Sequence, residues 1–509
     1  MARRKLYLVH PRPADTDQYE ADLIPNAAGM ADAAMVTVAA LAPEDKFEFK
    51  LCEESIEPVD FDHPADFVGI TGKNAQGARM IEIARRFRAR GVPVIFGGPH
   101  ATLAAGELRE HCDIIVKGEL EPIAQTFFDD LYRGEYQREY FGPRGHFADS
   151  PVPRWDLYPN DRALCGTLQT SRGCPFECEF CDVIAYLGRK QSHKAIDRVL
   201  AELDLLYRVG YRQVMLADDN LTVYRARARE LLKAIADWNG KVEEPLSFRT
   251  QLSIEITNDP EVLELLAKAG VRNVFVGIES PNQDALKETK KRQNVGVDMV
   301  ERTERFARHG ILVQAGCIVG FDSDTPKIFQ QQLEFAQRSP IPIFTPAPLH
   351  AAHGTPLRER MAQTGRLNVH LPMSNSISNF VPAQMSLAQQ QAGVDWLIRE
   401  LYAPDNFTRR LLRMIELFPS DLRPSRARSR PIAAEATLAC HRLLREAPDS
   451  ARVVTKILAA LRHKPGAREA ALFALFVWAQ RRYQLRRTEP VPVAPPTEAL
   501  PLVASSGVH

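Results

Sequence analysis

Two successive series of short apolar runs alternate with stretches of helical period, and this alternation limits the fold more than any other feature. In the first series, residues 5–9, 47–52, 67–71, 92–96 and 113–117 read as strands, and 27–41, 76–90, 103–110 and 121–132 as helices. In the second, strands are predicted at 167–171, 213–217, 246–253, 273–278, 312–319 and 342–349, with helices at 195–209, 226–238, 260–269, 297–309 and 326–338. Helix 195–209 shows the pattern: Ile196, Val199, Leu200, Leu203 and Leu206 form one apolar stripe. Strands separated by helices pair in parallel, because a parallel connection needs a long crossover. The chain is therefore expected to be α/β. Residues 1–140 predict a doubly wound parallel sheet. Residues 166–365 predict a partial (β/α)6 barrel, two units short of the eight-fold form. Residues 134–165 are rich in Gly, Pro, Tyr and Arg without period, and 141–165 read as a linker crossing between the domains, its Pro-x-Pro-x-Trp-Asp-Leu segment with Pro151, Pro153 and Trp155 packing as a clasp near the cluster. Residues 366–488 read as a helical accessory domain broken by prolines, and 489–509 as a disordered Pro-rich tail.

In both architectures ligands gather at the carboxyl ends of the strands, so those ends hold the candidate residues. The first barrel strand runs into Ser171-Arg172-Gly173 and then Cys174, Cys178 and Cys181, a C-x3-C-x2-C spacing. Three thiolates on one tight loop suit a cubane iron–sulfur cluster with one iron left open. Zinc is the alternative, with His193 as the nearest fourth ligand, but no second C-x2-C is present. Chance clustering of structural cysteines is the other. Phe180 can shield one face of the cluster. Later strand ends carry Asp218-Asp219-Asn220, Ser253 with Glu255, Gly277-Ile278-Glu279-Ser280, and Gly316-Cys317-Ile318-Val319-Gly320. The aspartates could equally cap a helix. A strand-end carboxylate such as Glu279 needs a partner, either a polar ligand or an arginine such as Arg249. In the first domain the strand ends read Thr71-Gly72, Gly97-Gly98-Pro99-His100 and Gly118-Glu119, where glycines would let a ligand approach the backbone. Glycines that merely turn the chain are the alternative there.

Composition narrows the class. Of 509 residues, 45% are hydrophobic and 25% charged, with a net charge of +1, so nothing points to nucleic acid. Apart from the cysteine loop, five cysteines are scattered without a disulfide framework, as in a reducing cytosol. The amino terminus has too short an apolar run for a signal peptide, and no stretch nears the ~18 apolar residues of a membrane span. A cytoplasmic location is expected. Residues 409–487 carry 18 Lys+Arg against 6 Asp+Glu, a balance of +12. That helical region could touch anionic lipid at the inner face of the membrane, or simply present solvated arginines.

The cysteine spacing, with an aromatic residue before the third cysteine, resembles the signature of radical S-adenosylmethionine enzymes. The resemblance implies a [4Fe-4S] cluster on Cys174, Cys178 and Cys181, with S-adenosylmethionine on the open iron and cleaved to a 5′-deoxyadenosyl radical. It implies further that Asp218 or Asp219 meets the amino group of S-adenosylmethionine, and that Ser253 and Glu279 meet its polar parts. The Gly316–Gly320 stretch resembles the family's adenine motif, with Ile318 on the ring. Followed by this motif, the first domain resembles the cobalamin-binding domain that precedes many such enzymes, through its Gly-Gly-Pro-His and Lys-Gly-Glu turns. Thr71, Gly72, Gly97, Gly98, Pro99, His100, Gly118 and Glu119 would then line the cobalamin site. The Asp-x-His-x-x-Gly sequence that supplies a lower histidine ligand elsewhere is absent; His10 and His100 are nearest by position. Residues 397–407 resemble the accessory domain of a subgroup that includes the radical methylases of hopanoids and of bacteriochlorophyll side groups. The implied activity is methylation of an unactivated carbon of a lipid or tetrapyrrole-like small molecule, with electrons from a donor such as flavodoxin or ferredoxin. The alternatives are a non-methylating oxidase, cyclase or ring-rearranging enzyme of the same cofactors, and a non-catalytic cobalamin carrier or sensor. A methylthiotransferase would need three cysteines in the first domain, which has only Cys52 and Cys112.

Overall fold

A computed structural model describes residues 2–13, 24–145, 147–369, 371, 377–422, 430–446 and 449–487. The first sheet is built from β1 (Arg4–His10), β3 (Phe47–Glu53), β4 (Phe67–Thr71), β5 (Val94–Gly97), β6 (Ile114–Gly118) and β7 (Glu139–Gly142). Its order is β3-β1-β4-β5-β6-β7, and every pair is parallel. Alternate residues of each strand face opposite layers, as the pleat dictates. Tyr7, Val9, Val68, Ile70 and Phe96 pack on the helix Gly77–Ala89 through Met80, Ile83, Ala84 and Phe87. Leu6, Leu8, Ile95 and Val116 face the helices Ala33–Leu41 and Ala124–Arg133. The last strand, β7, falls where the sequence reads as linker. Only four residues long, it is too short for a period-2 signal to register.

The second sheet contains β2 (Ala28–Met30), β8 (Ala163–Leu168), β11 (Gln213–Leu216), β12 (Ser247–Leu252), β13 (Val271–Glu279), β14 (Leu312–Val319) and β15 (Ile343–Pro348). Its order is β15-β14-β13-β12-β11-β8-β2, again all parallel. Six strands come from the expected barrel segment. The seventh, β2, comes from the amino-terminal segment and joins the barrel edge, with Ala28 opposite Ala163 and Met30 opposite Cys165. Residues 27–41 are therefore not one helix. Asp32 stops the strand and starts the helix, its Oδ1 accepting from the backbone of Ala34 and Met35, both at 3.0 Å.

The two sheets thus share one continuous apolar core. Trp155 lies inside it, fully buried, against Tyr158 and Tyr211 at 5.8 and 6.4 Å. Helices Leu387–Leu401, Pro404–Leu417, Pro431–Glu446, Ser450–Leu461 and Arg468–Arg487 form the carboxyl-terminal part. Tyr402 ties it to the edge strand β15 by donating to the carbonyl of Phe344 at 2.8 Å, and Trp478 Nε1 donates to the carbonyl of Tyr402 at 2.9 Å. The expected tail at 489–509 lies outside the described residues. Among those described, no helix is long and apolar enough to cross a membrane.

Candidate functional site

The cysteine loop begins at the carboxyl end of β8, and each residue before Cys174 is separately anchored. A short antiparallel pair, β9 (Ser171–Arg172) with β10 (Ser192–His193), shapes its base. Asp218 Oδ1 accepts from the backbone and hydroxyl of Thr170 at 3.1 and 2.9 Å and from the Ser171 hydroxyl at 2.6 Å. Asp219 Oδ2 accepts from the Gly173 backbone at 2.9 Å. Gly173 has φ +94, and a Cβ there would stand 2.9 Å from the Gly188 carbonyl, so the turn requires glycine. The two aspartates therefore brace the loop. Burial pushes the Asp218 carboxyl up to about 6, although its hydroxyl partners pull the other way.

All three loop cysteines are free thiols. Gln293 Nε2 lies 3.7 Å from Cys178 Sγ. A buried ion pair stands beside them: Lys291 Nζ to Glu279 Oε1 at 2.8 Å, with both side chains nearly inaccessible. Burial opposes the lysine charge, but Glu279 and then Cys178 lift Lys291 above the ordinary lysine range. Glu279 is held at φ +64, strained for a non-glycine residue by about 1–3 kcal/mol. Gln332 Nε2, donating to its carbonyl at 2.9 Å, helps hold it there. Gly277 makes room for the pair, since a Cβ there would lie 2.2 Å from the Glu279 carboxylate. The expected partner Arg249 is instead committed to Gln213 and to the ring of Phe473. Sequence reasoning misses Lys291. Its one signal is the run Lys290-Lys291-Arg292 shortly after the Gly-Ile-Glu-Ser turn.

Phe180 and Ile318 meet in one small apolar cluster with Phe321, Leu349 and Ala351, the rings of Phe180 and Phe321 being 6.1 Å apart. Ser253 accepts from Asn220 Nδ2 at 2.7 Å, and Glu255 takes Arg225 at 3.4 Å. Cys317 is a buried core residue. The described strand ends of the barrel thus bring Cys174, Cys178, Cys181, Asp219, Ser253, Glu279 and Ile318 to one rim.

The first-domain residues do not converge in the same way. A cavity of about 260 Å³ runs from the strand ends down between the sheet and the helices Ala33–Leu41 and Ala124–Arg133. Its apolar wall is Leu6, Leu8, Met35, Val38, Ile95 and Phe127, and its mouth holds Thr71, Gly97, Gly98, Gly118 and Glu119. Gln169, Arg172, Tyr186 and Leu187 of the cysteine loop region close it from the barrel side. Gly97 alone among these glycines opens onto empty space; a Cβ there meets nothing within 4 Å. Gly98 and Gly118 answer to the chain itself. Their Cβ atoms would stand 2.5 Å from Thr71 Oγ1 and 2.1 Å from the Gly142 carbonyl. Gly72 is packed on Gln76 and Met80. His100 and the neighbouring Pro99 do not line the cavity. The His100 ring lies buried against Gly77, and burial lowers it to about 4. His10 is occupied as well: its Nδ1 meets Glu53 at 2.9 Å and its Nε2 meets Gln76 at 3.0 Å.

The radical SAM superfamily model matches residues 168–336, and a domain of unknown function, DUF4070, matches 355–477. The protein is 32% identical to an uncharacterized methyltransferase of Synechocystis, over 74% of this chain and 72% of that one. It is 31% identical to the hopanoid C-2 methylase of Rhodopseudomonas palustris, over 72% and 71%. A bacteriochlorophyllide d C-12(1)-methyltransferase of Chlorobaculum tepidum is 28% identical over 58% and 66%. Among solved structures, the cobalamin-dependent S-adenosylmethionine radical enzyme OxsB, with aqua-cobalamin and S-adenosylmethionine bound, superposes with a TM-score of 0.61, at 14% identity over 95% of this chain and 80% of that one. The rim of cysteines on a partial barrel defines a radical SAM protein. The chain belongs to that superfamily, in the family of radical SAM methylases that contains the hopanoid C-2 enzyme.

Proposed function

We propose that this protein is a cobalamin-dependent radical S-adenosylmethionine C-methyltransferase acting on an unactivated carbon of a lipid, isoprenoid or tetrapyrrole-like small molecule. One observation carries the reading: a cavity between sheet and helices in the first domain is closed, from the other side, by the residues that flank the cysteine loop. The residues present fit both groups. Cys174, Cys178 and Cys181 would hold a cluster. The apolar slot floored by Leu6 and Leu8 would take the nucleotide tail of cobalamin, with Gly97 leaving room at the mouth. When bound, the cluster supplies the electron that cleaves S-adenosylmethionine, and cobalamin supplies the methyl group.

The protein's own residues bind and orient. Asp219 and Ser253 would receive the polar methionyl group. Ile318 and Phe180 offer an apolar seat for the adenine. Lys291 places a fixed positive charge beside the thiolates, and Glu279 holds it there. The buried core shared by the two domains excludes water between the sites. His10 is held by Glu53 and Gln76 and His100 lies against Gly77, and neither lines the cavity, so cobalamin would be bound without a lower histidine ligand. The lipid or tetrapyrrole substrate class is supported by the named relatives. Exposed Leu438, Leu458 and Leu472 on the basic carboxyl-terminal helices support contact with a membrane that holds such a substrate. Electrons would come from a donor such as flavodoxin or ferredoxin.

The test is anaerobic reconstitution with iron, sulfide and hydroxocobalamin, then reduction in the presence of S-adenosylmethionine and, in separate arms, a hopanoid and a bacteriochlorophyllide as methyl acceptor. Formation of 5′-deoxyadenosine and a product heavier by one methylene are expected. 5′-Deoxyadenosine with no added methylene moves the protein to the oxidase or cyclase class. No 5′-deoxyadenosine at all overturns the enzymatic reading.

A further inference from the structure

Arg172 is the residue of the cysteine loop that reaches into the other domain. Its Nη2 meets Glu121 Oε1 at 2.9 Å, and its Nη1 lies 3.7 Å from Glu119 Oε1. Its Nε donates to Gln169 at 2.9 Å, and its guanidinium covers the ring of Phe147 at 4.0 Å. Both glutamates lie just beyond β6 and line the cavity, as Arg172 itself does. Each is held from behind. The Ser150 hydroxyl donates to Glu121 at 3.1 Å, and the Gly145 backbone donates to Glu119 at 3.1 Å. The pair is nearly dry, with side-chain exposure of 15% for Arg172 and 6% for Glu121. Burial works against the Glu121 charge, and the guanidinium outweighs it, holding the carboxyl below its usual range.

The neighbours of Arg172 in sequence are pinned to the barrel, Ser171 on Asp218 and Gly173 on Asp219. Cys174 follows at once. Arg172 thus stands two residues before the first thiolate on a backbone held on both sides, and its ion pair with Glu121 is the hold that comes from the other domain. The phenyl ring of Phe147 keeps water from the pair, so its strength depends on what else touches it. A ligand that fills the cavity touches both ends of the ion pair.

We propose that Arg172 is a positioning residue that couples the two halves of the site, its ion pair with Glu121 transmitting occupancy of the first-domain cavity to the cysteine loop. The proposal rests on the cofactor reading above. Coupling is reciprocal, so assembly of the cluster must change the affinity for cobalamin by the same factor that cobalamin changes the loop. The measurement is equilibrium binding of hydroxocobalamin to the full-length protein, once with the cluster reconstituted and once after its removal by chelation. In the wild type the two affinities should differ by at least about five-fold. In Arg172→Gln and in Glu121→Gln the ratio should collapse towards one while iron and sulfide contents stay at wild-type levels. Arg172→Lys, which keeps the charge but loses the planar fork, should retain an intermediate ratio. A purely structural role would weaken binding in both forms alike and leave the ratio unchanged. Equal affinities in the wild type, or an unchanged ratio in the variants, overturns the proposal. Should Arg172→Gln lose its fold, Glu121→Gln decides the matter from the other side of the pair. A wild type that binds no hydroxocobalamin in either form overturns the cofactor reading, and the proposal with it.

Discussion

The cysteine loop and the first-domain cavity face each other, yet they are built in opposite ways. The loop is a local object. Its ligands lie within eight consecutive residues, 174–181, and polar anchors on Asp218 and Asp219 suspend it from the next strand. The cavity is a distributed one. Its apolar wall draws one or two residues each from β1, β5, β6 and two helices, and Gly97 faces open space at its mouth. A local site is lost by removing one ligand. A distributed cavity tolerates removals and is lost by filling it.

The largest effect should come from the loop. Cys174→Ala, Cys178→Ala or Cys181→Ala should each abolish cluster assembly and 5′-deoxyadenosine formation, read as iron and sulfide content after reconstitution. Hydroxocobalamin should still bind these variants, with the affinity of the cluster-free wild type, because its cavity is lined largely by residues outside the loop. The next effect should come from the cavity. Gly97 has the extended backbone that any residue adopts, so Gly97→Leu should fold with its side chain in the empty space. Hydroxocobalamin binding should fall by more than about ten-fold, roughly 1.4 kcal/mol, with iron content unchanged. Equal loss of cluster and cobalamin would show the regions to be one unit.

Two further effects, on stability rather than on cofactor binding, separate the regions by pH. Burial raises Asp218 from 3.8 to about 6, so the folded state holds that proton more tightly than the unfolded polypeptide. Its stabilisation is complete below pH 3.8 and lost as the pH rises through 6, about 3 kcal/mol in all. Urea midpoints of the cluster-free protein should fall across that window, and Asp218→Asn should flatten the fall. In the first domain, burial opposes the charge on His10, but Asp32 and Glu53 outweigh it and raise the imidazole to about 9. That stabilisation is complete below pH 6.5 and lost as the pH passes 9. With the ring about a quarter exposed, roughly 2 kcal/mol is expected. His10→Gln should remove the alkaline fall and leave the acidic one intact. A change in the acidic fall in His10→Gln would show that the two groups are coupled.

Much of the barrel site is legible in the sequence because it rests on short motifs at strand ends. Phe180 and Ile318, taken from different motifs, do meet in one apolar cluster. The first domain is harder to read. Of the glycines at its strand ends, Gly98 and Gly118 answer to Thr71 and Gly142, and only Gly97 to open space. Residue type cannot separate them, because the atoms that crowd two of them, and spare the third, come from elsewhere in the fold. The strands β2 and β7, of three and four residues, carry no periodicity to detect. Lys291 replaces Arg249 beside Glu279 because the strand register sets Arg249 opposite Asn273, near the start of β13, whereas Glu279 stands at its end.

By itself the sequence determined the parallel, helix-covered layers and the three-thiolate loop, since hydrophobic period and ligand spacing are properties of adjacent residues. Only the tertiary structure decided that an amino-terminal strand joins the barrel edge, that Gly97 faces open space at the cavity mouth, and that Arg172 spans the two halves. Those outcomes depend on which distant atoms arrive to fill a space or neutralise a charge. Burial makes each such arrival decisive, because an unfilled void or an unpaired charge in a dry interior costs several kcal/mol.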